Sequence, residues 1–185
     1  MPSTNQKRIL LGVTGSIAAY KSGDIIRRLM DEGFKVSVIM TKEAESFITP
    51  LTLSSLCGED VYRSMFDENV AWTMPHIRLA KDADLVLIAP ATANIIAKIA
   101  CGMADDLLTC SILATTAPIL IAPAMNVEMY RNVRVQNNCA QLKKQGVQFV
   151  EPVHGKLACG DEGEGHLAPE ENIVTAVKKV LGGTL

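Results

Sequence analysis

The chain has 185 residues, of which 48% are hydrophobic and 21% charged, and its formal net charge is -2. This length suits one domain with a full hydrophobic core, and the composition excludes a disordered or fibrous protein. The charge gives no indication of nucleic-acid binding. No apolar run reaches the length of a membrane span, and the N-terminus lacks the apolar core of a signal peptide. We therefore expect a cytoplasmic protein.

The five cysteines and three histidines form no pattern typical of a metal site or a disulfide framework. No two cysteines make a CxxC pair, and their number is odd. The chain also has no HExxH motif and no close pair of histidines. We therefore predict no bound metal.

Strand-like and helix-like segments alternate along the chain. Strands are predicted over residues 8–13, 34–40, 84–89, 118–122 and 147–150, and helices over residues 17–32, 46–56, 94–100, 105–114, 132–145 and 170–181. Residues 155–165 are rich in glycine and have no periodicity. Such alternation predicts an α/β fold with a parallel sheet and helices on both faces. We expect one Rossmann-like (flavodoxin-like) domain over residues 1–185.

The loop after the first predicted strand contains Gly15, Ser16 and Ile17. Small residues let backbone amides approach a phosphate at a helix N-terminus. The spacing is not GxGxxG, and the second strand ends at Thr41 and Lys42 without the acidic residue that an NAD site favours. Both departures favour a mononucleotide, although NADP stays open because Lys42 would meet a phosphate. The alternative is that Gly15 and Ser16 form only a turn and a helix cap.

Two further strand ends carry residues suited to a ligand, since ligands of open α/β sheets bind outside the carboxyl ends of the strands. The third predicted strand is followed by small and hydroxyl residues at 91–94 that open a helix. The strand over residues 118–122 is followed by Asn126, whose amide suits a carboxylate or a neighbouring polar group. Met125 and Met129 flank it and can pack against an apolar ligand face. Asn126 is alternatively a helix cap.

Several motifs resemble those of the flavin-dependent cysteine decarboxylases: GSIAAYK at 15–21, HIRL at 76–79, APATAN at 89–94, ADDLLT at 104–109 and PAMNVEM at 123–129. The stretch LACG at 157–160, with Gly163 and Gly165, resembles the flap of one branch, the phosphopantothenoylcysteine decarboxylases. The match keeps the motif order over nearly the whole chain. The resemblance implies FMN as cofactor and a homotrimer, often assembled into a homododecamer, with flavin at subunit interfaces.

The resemblance also implies a role for each matching residue. His76 and Cys159 would be catalytic, and Asn126, Met125 and Met129 would bind substrate. The residues that would bind the cofactor are Gly15, Ser16, Ile17, Thr41, Ala91, Thr92, Ala93, Asn94 and Ala124. Structural packing is the alternative for His76, and a plain buried thiol is the alternative for Cys159.

The implied reaction is decarboxylation of 4′-phosphopantothenoylcysteine to 4′-phosphopantetheine in coenzyme A biosynthesis. The family oxidises the thiol carbon with hydride transfer to flavin, and CO2 then leaves to give an enethiol. His76 would take a proton or orient the carboxylate, because imidazole exchanges protons near neutral pH. Cys159 would protonate the enethiol while reduced flavin returns hydride. A phosphopantothenate-cysteine ligase, fused or separate, is a possible partner.

Three other functions are less well matched. An oxidative decarboxylase of peptidyl cysteine would stop at the enethiol, and Cys159 argues against it. A flavin prenyltransferase would not combine His76, Asn126 and Cys159. A non-enzymatic FMN-binding regulatory subunit usually has long acidic extensions, which are absent here. The chain departs from the family at Tyr130, which is often Trp, and at His166, which is often Arg.

Overall fold

The computed structural model describes residues 6–66, 74–156, 160 and 162–182. Six parallel strands form the main sheet in the order β3-β2-β1-β4-β5-β6, and β7 and β8 form a separate antiparallel hairpin. The predicted Rossmann-like α/β fold is therefore confirmed. The strands are β1 (Arg8–Val13), β2 (Lys35–Met40), β3 (Val61–Tyr62), β4 (Leu85–Ala91), β5 (Ile119–Pro123), β6 (Gln148–Phe149), β7 (Val153–Lys156) and β8 (Glu162–His166).

Within the described residues, eight α-helices connect or follow these strands: α1 (Ser22–Asp31), α2 (Pro50–Cys57), α3 (Pro75–Asp82), α4 (Ala93–Cys101), α5 (Leu107–Ala114), α6 (Val127–Arg131), α7 (Val133–Lys144) and α8 (Glu170–Val180). The central strand β4 is buried at every position, as expected for a strand covered by helices on both sides of the sheet. Alternate residues of the strands enter two separate apolar clusters, one on each face. Burial of both faces fixes the register of the strands.

Two predicted helices differ from the observed ones at their beginnings. The segment over residues 17–32 divides into a 3-10 helix, Ile17–Lys21, followed by α1. The segment over residues 46–56 contains α2, which begins at Pro50, and Thr49 caps it by accepting a hydrogen bond from the Thr52 N–H. Proline suits the first helical turn because its missing N–H would have no partner there. The predicted helix over residues 46–56 therefore begins later, at Pro50.

The glycine-rich stretch, predicted to be irregular, contains the β7–β8 hairpin. Glycines have weak strand propensity, so the pattern gave no strand signal. A Cβ added to Gly163 would lie 2.7 Å from Cγ2 of Val127, and one added to Gly165 would lie 2.3 Å from the carbonyl oxygen of Met125. These glycines allow β8 to approach the start of α6 more closely than side chains would permit.

The described cysteines Cys57, Cys101, Cys110 and Cys139 are free thiols in helices. Cys57 and Cys139 are buried, whereas Cys101 is exposed. Within the part of the chain that the structure describes, no three His, Cys, Asp or Glu residues are grouped closely enough to hold a metal ion. No helix of those same residues combines the length and the apolar character that crossing a membrane requires.

Candidate functional site

A cavity of about 210 Å³ lies at the carboxyl ends of β1, β2 and β4. This is the edge of an open α/β sheet where ligands bind. The loops after these strands provide most of its wall, and α6 adds one side chain. Six residues predicted as ligand-binding from the sequence line it: Gly15, Thr41, Thr92, Ala93, Asn94 and Met129. Five further lining residues were missed: Thr14, Glu43, Ile95, Lys98 and Asp106.

Thr41 has the most informative side chain in this cavity. Its hydroxyl oxygen is buried and has no hydrogen-bond partner among the described residues. Buried polar atoms are nearly always hydrogen-bonded, so an orphaned hydroxyl in a cavity wall indicates a missing ligand group. Thr41 therefore supports a ligand with polar groups at this position.

Three predicted site residues use a side-chain oxygen to cap a helix. Ser16 accepts a hydrogen bond from the Ala18 N–H at 3.3 Å, and Thr92 accepts one from the Ile95 N–H at 3.3 Å. Asn126 caps α6. Ser16 and Asn126 therefore do cap helices, and this does not exclude ligand binding by either. A hydroxyl that accepts a hydrogen bond through its oxygen can still donate its own proton.

Gly15 is required by close packing as well as by any ligand. A Cβ added to Gly15 would lie 2.4 Å from the Cβ of Glu43, which belongs to the 3-10 helix Lys42–Ser46. No real Cβ approaches another heavy atom this closely, so a larger residue would displace the loop after β2. The small size of Gly15 thus allows the loops after β1 and β2, which form two walls of the cavity, to pack closely.

The cationic side chain in the cavity wall, Lys98, is paired with two carboxylates. Its Nζ lies 2.8 Å from Asp105 Oδ2 and 3.1 Å from Asp106 Oδ2. The hydrogen bond to Asp105 raises the pKa of Lys98, and although burial lowers it, the bond and charge of Asp106 add to the rise. An anionic group here would therefore depend on backbone N–H groups and hydroxyls, such as those at the N-terminus of α4.

Asn126 lies just after β5, as the sequence predicted. Its Oδ1 accepts hydrogen bonds from the Glu128 N–H at 2.8 Å and the Met129 N–H at 3.4 Å. Met129 is 49% exposed and lines the cavity, whereas Met125 is half-buried against the apolar cluster on one face of the sheet. Asn126 and Met125 are not among the residues that line the cavity. Met129 therefore connects the Asn126 helix to the cavity.

Backbone hydrogen bonds join the loops on this side of the sheet. The Ala124 N–H donates to the Ala91 carbonyl at 3.0 Å, and the Met125 N–H donates to the Gly165 carbonyl at 3.0 Å. Ala91 and Ala124 are buried. They join the two loops through this hydrogen bond and do not line the cavity. Ile17 is 56% exposed and, like Ser16, Ala91 and Ala124, does not line the cavity.

His76 is the second residue of α3 and does not line the cavity. Its Nδ1 atom is buried and has no hydrogen-bond partner in the described part of the chain. An unpaired buried ring nitrogen is unusual for a histidine that serves packing alone. Cys159, the other predicted catalytic residue, lies outside the described residues.

The two departures from the family pattern have clear local contacts. The Tyr130 hydroxyl donates to Glu151 Oε2 at 2.7 Å, and Glu151 also pairs with Lys143. Burial and then the hydrogen bond to Glu151 raise the pKa of Tyr130 above its usual value. His166 Nδ1 lies 3.0 Å from the Leu167 carbonyl oxygen, so the ring donates to its own neighbour.

A larger cleft, of about 700 Å³, lies beside the first residue of β1 and contains no predicted site residue. Two charged residues of its wall pair with each other, since the Arg8 guanidinium lies 3.0 Å from Glu59 Oε2 and also donates to Ser37. It adjoins the amino end of β1, away from the strand ends where ligands of this fold bind. The smaller cavity is therefore the better candidate site.

Comparison with known proteins identifies the family of the chain. The family model described as "Flavoprotein" matches residues 2–182. The chain belongs to the flavoprotein family. The matched residues include every loop that lines the cavity.

Particular relatives are more specific than the family. The coenzyme A biosynthesis bifunctional protein CoaBC of Vibrio vulnificus is 50% identical over 168 residues, which are 91% of this chain and 42% of that protein. The chain thus spans about two fifths of the length of that relative.

Two solved structures have the same fold. A Cys-to-Ser mutant of PPC decarboxylase complexed with pantothenoylaminoethenethiol is 32% identical with a TM-score of 0.84, over 96% of this chain and 100% of that one. The FMN binding protein AtHal3 is 35% identical with a TM-score of 0.80, over 94% of this chain and 96% of that one. This flavoprotein is therefore similar to decarboxylases in both sequence and fold.

Proposed function

We propose that this flavoprotein catalyses the FMN-dependent decarboxylation of 4′-phosphopantothenoylcysteine to 4′-phosphopantetheine, a carboxy-lyase reaction of coenzyme A biosynthesis. The observation that carries the proposal is the cavity at the carboxyl ends of β1, β2 and β4, which adjoins the Asn126 helix through Met129. The similarity to CoaBC and to PPC decarboxylase supports the reaction and the substrate.

The cavity residues fit the polar part of FMN. Thr41 supplies a buried hydroxyl that needs a partner, and Thr92 can donate its hydroxyl proton while its oxygen caps α4. The N-terminus of α4 favours an anion through its unpaired N–H groups. When bound, FMN supplies reversible two-electron oxidation of the carbon next to the substrate thiol.

Asn126 would bind the substrate carboxylate or the adjacent amide. A neutral amide orients a carboxylate without the strong stabilisation that an Arg or Lys would give. This matters because loss of CO2 requires the carboxylate to give up its charge. Met129, at the edge of the cavity, would pack against an apolar face of the substrate or the cofactor.

His76 would act on a substrate held by a second subunit. It does not line the cavity of its own chain, and its buried Nδ1 needs a partner. Assembly into a homotrimer, with further association into a homododecamer, would bring α3 of one copy to the cavity of another. In that position His76 would accept a proton or orient the carboxylate.

Cys159 would donate a proton to the enethiol that remains after CO2 leaves. A thiol is mostly protonated near neutral pH and can serve as an acid. Together with the hydride that the reduced cofactor would give back, this proton would saturate the double bond and restore the thiol carbon to its oxidation level in the substrate. A peptidyl-cysteine decarboxylase that stops at the enethiol would not need it.

The proposal extends to the setting of the reaction. Residues 1–185 would form one flavoprotein domain that works in the cytoplasm. A phosphopantothenate-cysteine ligase, fused or separate, would supply the substrate, in agreement with the bifunctional name of the relatives.

Mixed oligomers of inactive variants test the proposed site. At substrate concentrations well below KM, His76→Asn and Asn126→Asp should each lose most CO2 release from phosphopantothenoylcysteine. If the site joins two subunits, co-refolding the two variants should restore part of the activity, since some interfaces receive both intact residues. Mixed oligomers as inactive as their parents would contradict a shared site. Purified protein that holds no FMN and cannot be reconstituted with it would contradict the cofactor.

A further inference from the structure

The end of β4 is irregular at the point where it enters the proposed cofactor cavity. Its register with β5 runs regularly to Ile88 and then shifts before Ala91, and its pairing with β1 ends at Ile88. Pro90 has no N–H to offer to a neighbouring strand. The carbonyl groups of Ala89 and Pro90 are therefore buried where the regular ladder stops. Buried carbonyls of this kind need hydrogen-bond donors from elsewhere.

Two hydroxyl side chains from the segment after β1 provide these donors. Thr14 Oγ1 donates to the Pro90 carbonyl at 2.7 Å, and Ser22 Oγ donates to the Ala89 carbonyl at 3.2 Å. Thr14 Oγ1 also accepts a hydrogen bond from the Thr92 N–H at 3.2 Å. Both side chains are almost completely buried, with 1% of Thr14 and 0% of Ser22 exposed.

The Thr14 hydroxyl thus donates its one proton to Pro90 and also accepts the Thr92 N–H. Although the residue borders the cavity, this proton is not available to a ligand. The hydroxyl's two partners, the Pro90 carbonyl and the Thr92 N–H, lie on either side of Ala91 in the turn that begins α4. Thr92, Ala93 and Asn94 of this turn line the cavity. The geometry of this turn decides where the N-terminus of α4 points.

We infer that Thr14, assisted by Ser22, is a positioning residue that holds the β4–α4 turn in its FMN-binding conformation before FMN arrives. This inference rests on the proposed cofactor. A preorganised loop binds a ligand more tightly because the binding free energy does not have to offset the entropy cost of ordering the loop. Thr14→Val keeps the shape of the side chain but removes the donor for Pro90 and the acceptor for Thr92.

Two measurements on the full-length chain test the inference. Thr14→Val should weaken FMN binding about tenfold, measured by flavin fluorescence titration. It should also speed hydrogen exchange of the peptide covering residues 89–95 in flavin-free protein. Thr14→Ser, which keeps the hydroxyl, should stay near wild type in both.

Ser111→Ala is the matched control. Ser111 is also fully buried, and its hydroxyl donates to a backbone carbonyl, that of Leu107 at 2.7 Å, but within α5. This variant should lose some thermal stability and keep FMN affinity. Equal losses of affinity in Thr14→Val and Ser111→Ala would show a general effect of stability and overturn the inference.

Each remaining outcome is also decisive. Unchanged exchange over residues 89–95, or faster exchange with wild-type affinity, would overturn the positioning role. If Thr14→Val does not fold, Thr14→Ala removes the same hydroxyl without placing a methyl group against two polar atoms, and the same expectations apply. A wild-type chain that does not bind FMN would contradict the proposed cofactor, whereas the exchange measurement would still decide whether Thr14 orders the turn.

Discussion

The backbone N–H of Met125 donates to the carbonyl of Gly165 at 3.0 Å, and a Cβ on Gly165 would lie 2.3 Å from the Met125 carbonyl oxygen. The hairpin is therefore joined directly to the segment that presents Asn126. A movement of β8 would therefore also move Met125 and Asn126, which are proposed to bind substrate.

Gly165→Ala should push β8 away from Met125. We expect KM for phosphopantothenoylcysteine to rise about tenfold, with FMN content unchanged, because the cavity loops are on other elements. Steady-state CO2 release measures this. Gly155→Ala is the control on the same hairpin, since its Cβ would lie 3.5 Å from His166, an ordinary contact. Equal behaviour of the two variants would contradict a specific role for the β8 contact.

Asn126→Asp separates helix capping from substrate binding. Asp is about as good a helix cap as Asn, so α6 should persist. The new negative charge should repel the substrate carboxylate and raise KM about tenfold or more. Asn132→Asp is the matched control, because Asn132 caps α7 by accepting from the Arg134 N–H at 3.0 Å. Unchanged KM in Asn126→Asp would place the carboxylate elsewhere.

The central strands and the main loops of the site were predictable from the sequence for a simple reason. Strands buried on both faces are continuous apolar runs, and residues after such strands meet at one edge of the sheet. This pattern predicted that Thr41, Thr92 and Asn126 lie just after strands, at the same edge of the sheet. The short strand β3 was not predicted, since two residues carry too little periodicity, and a helix after Asn126 was predicted only through the capping alternative.

Other site residues depended on packing that a sequence pattern does not contain. Lys98 and Asp106 reach the cavity only because α4 and α5 fold beside it. Asp106 had a local signal, because it opens a capping box with Thr109. The close approach of Gly15 to Glu43 joins residues that are distant in sequence, and single-residue preferences do not report it.

Asp106 should make stability depend on pH in the acid range. Burial raises the pKa of its carboxyl, but hydrogen bonds from Thr109 and Lys98 outweigh this, so the pKa is lowered from 3.8. A lowered folded-state pKa means that the stabilisation is complete well above pH 3.8 and is lost as pH falls through the folded pKa. Asp106→Asn should therefore be about 1 kcal/mol less stable than wild type at neutral pH, with a smaller difference near pH 3.

Urea unfolding of flavin-free protein at several pH values measures this difference. Asp105→Asn is the control, since the Asp105 side chain is 51% exposed and should contribute little. A stability difference for Asp106→Asn that stays constant from neutral pH to pH 3 would contradict the assignment.

Cys159→Ser should separate CO2 release from completion of the reaction. A serine hydroxyl is a much weaker acid than a thiol, so CO2 should still leave while the enethiol accumulates. Trapping and mass analysis of the thiol product detect this. Cys101→Ser, at an exposed thiol, should behave as wild type. Normal formation of 4′-phosphopantetheine by Cys159→Ser would refute the acid role.

The most direct test of the proposed function is the mass of the product formed from 4′-phosphopantothenoylcysteine by wild-type protein without oxygen. We expect 4′-phosphopantetheine and one CO2 for each substrate consumed, with the flavin still oxidised at the end. A product two hydrogens lighter, with reduced flavin, would identify an oxidative decarboxylase instead. No CO2 release by FMN-loaded protein would contradict an enzymatic role.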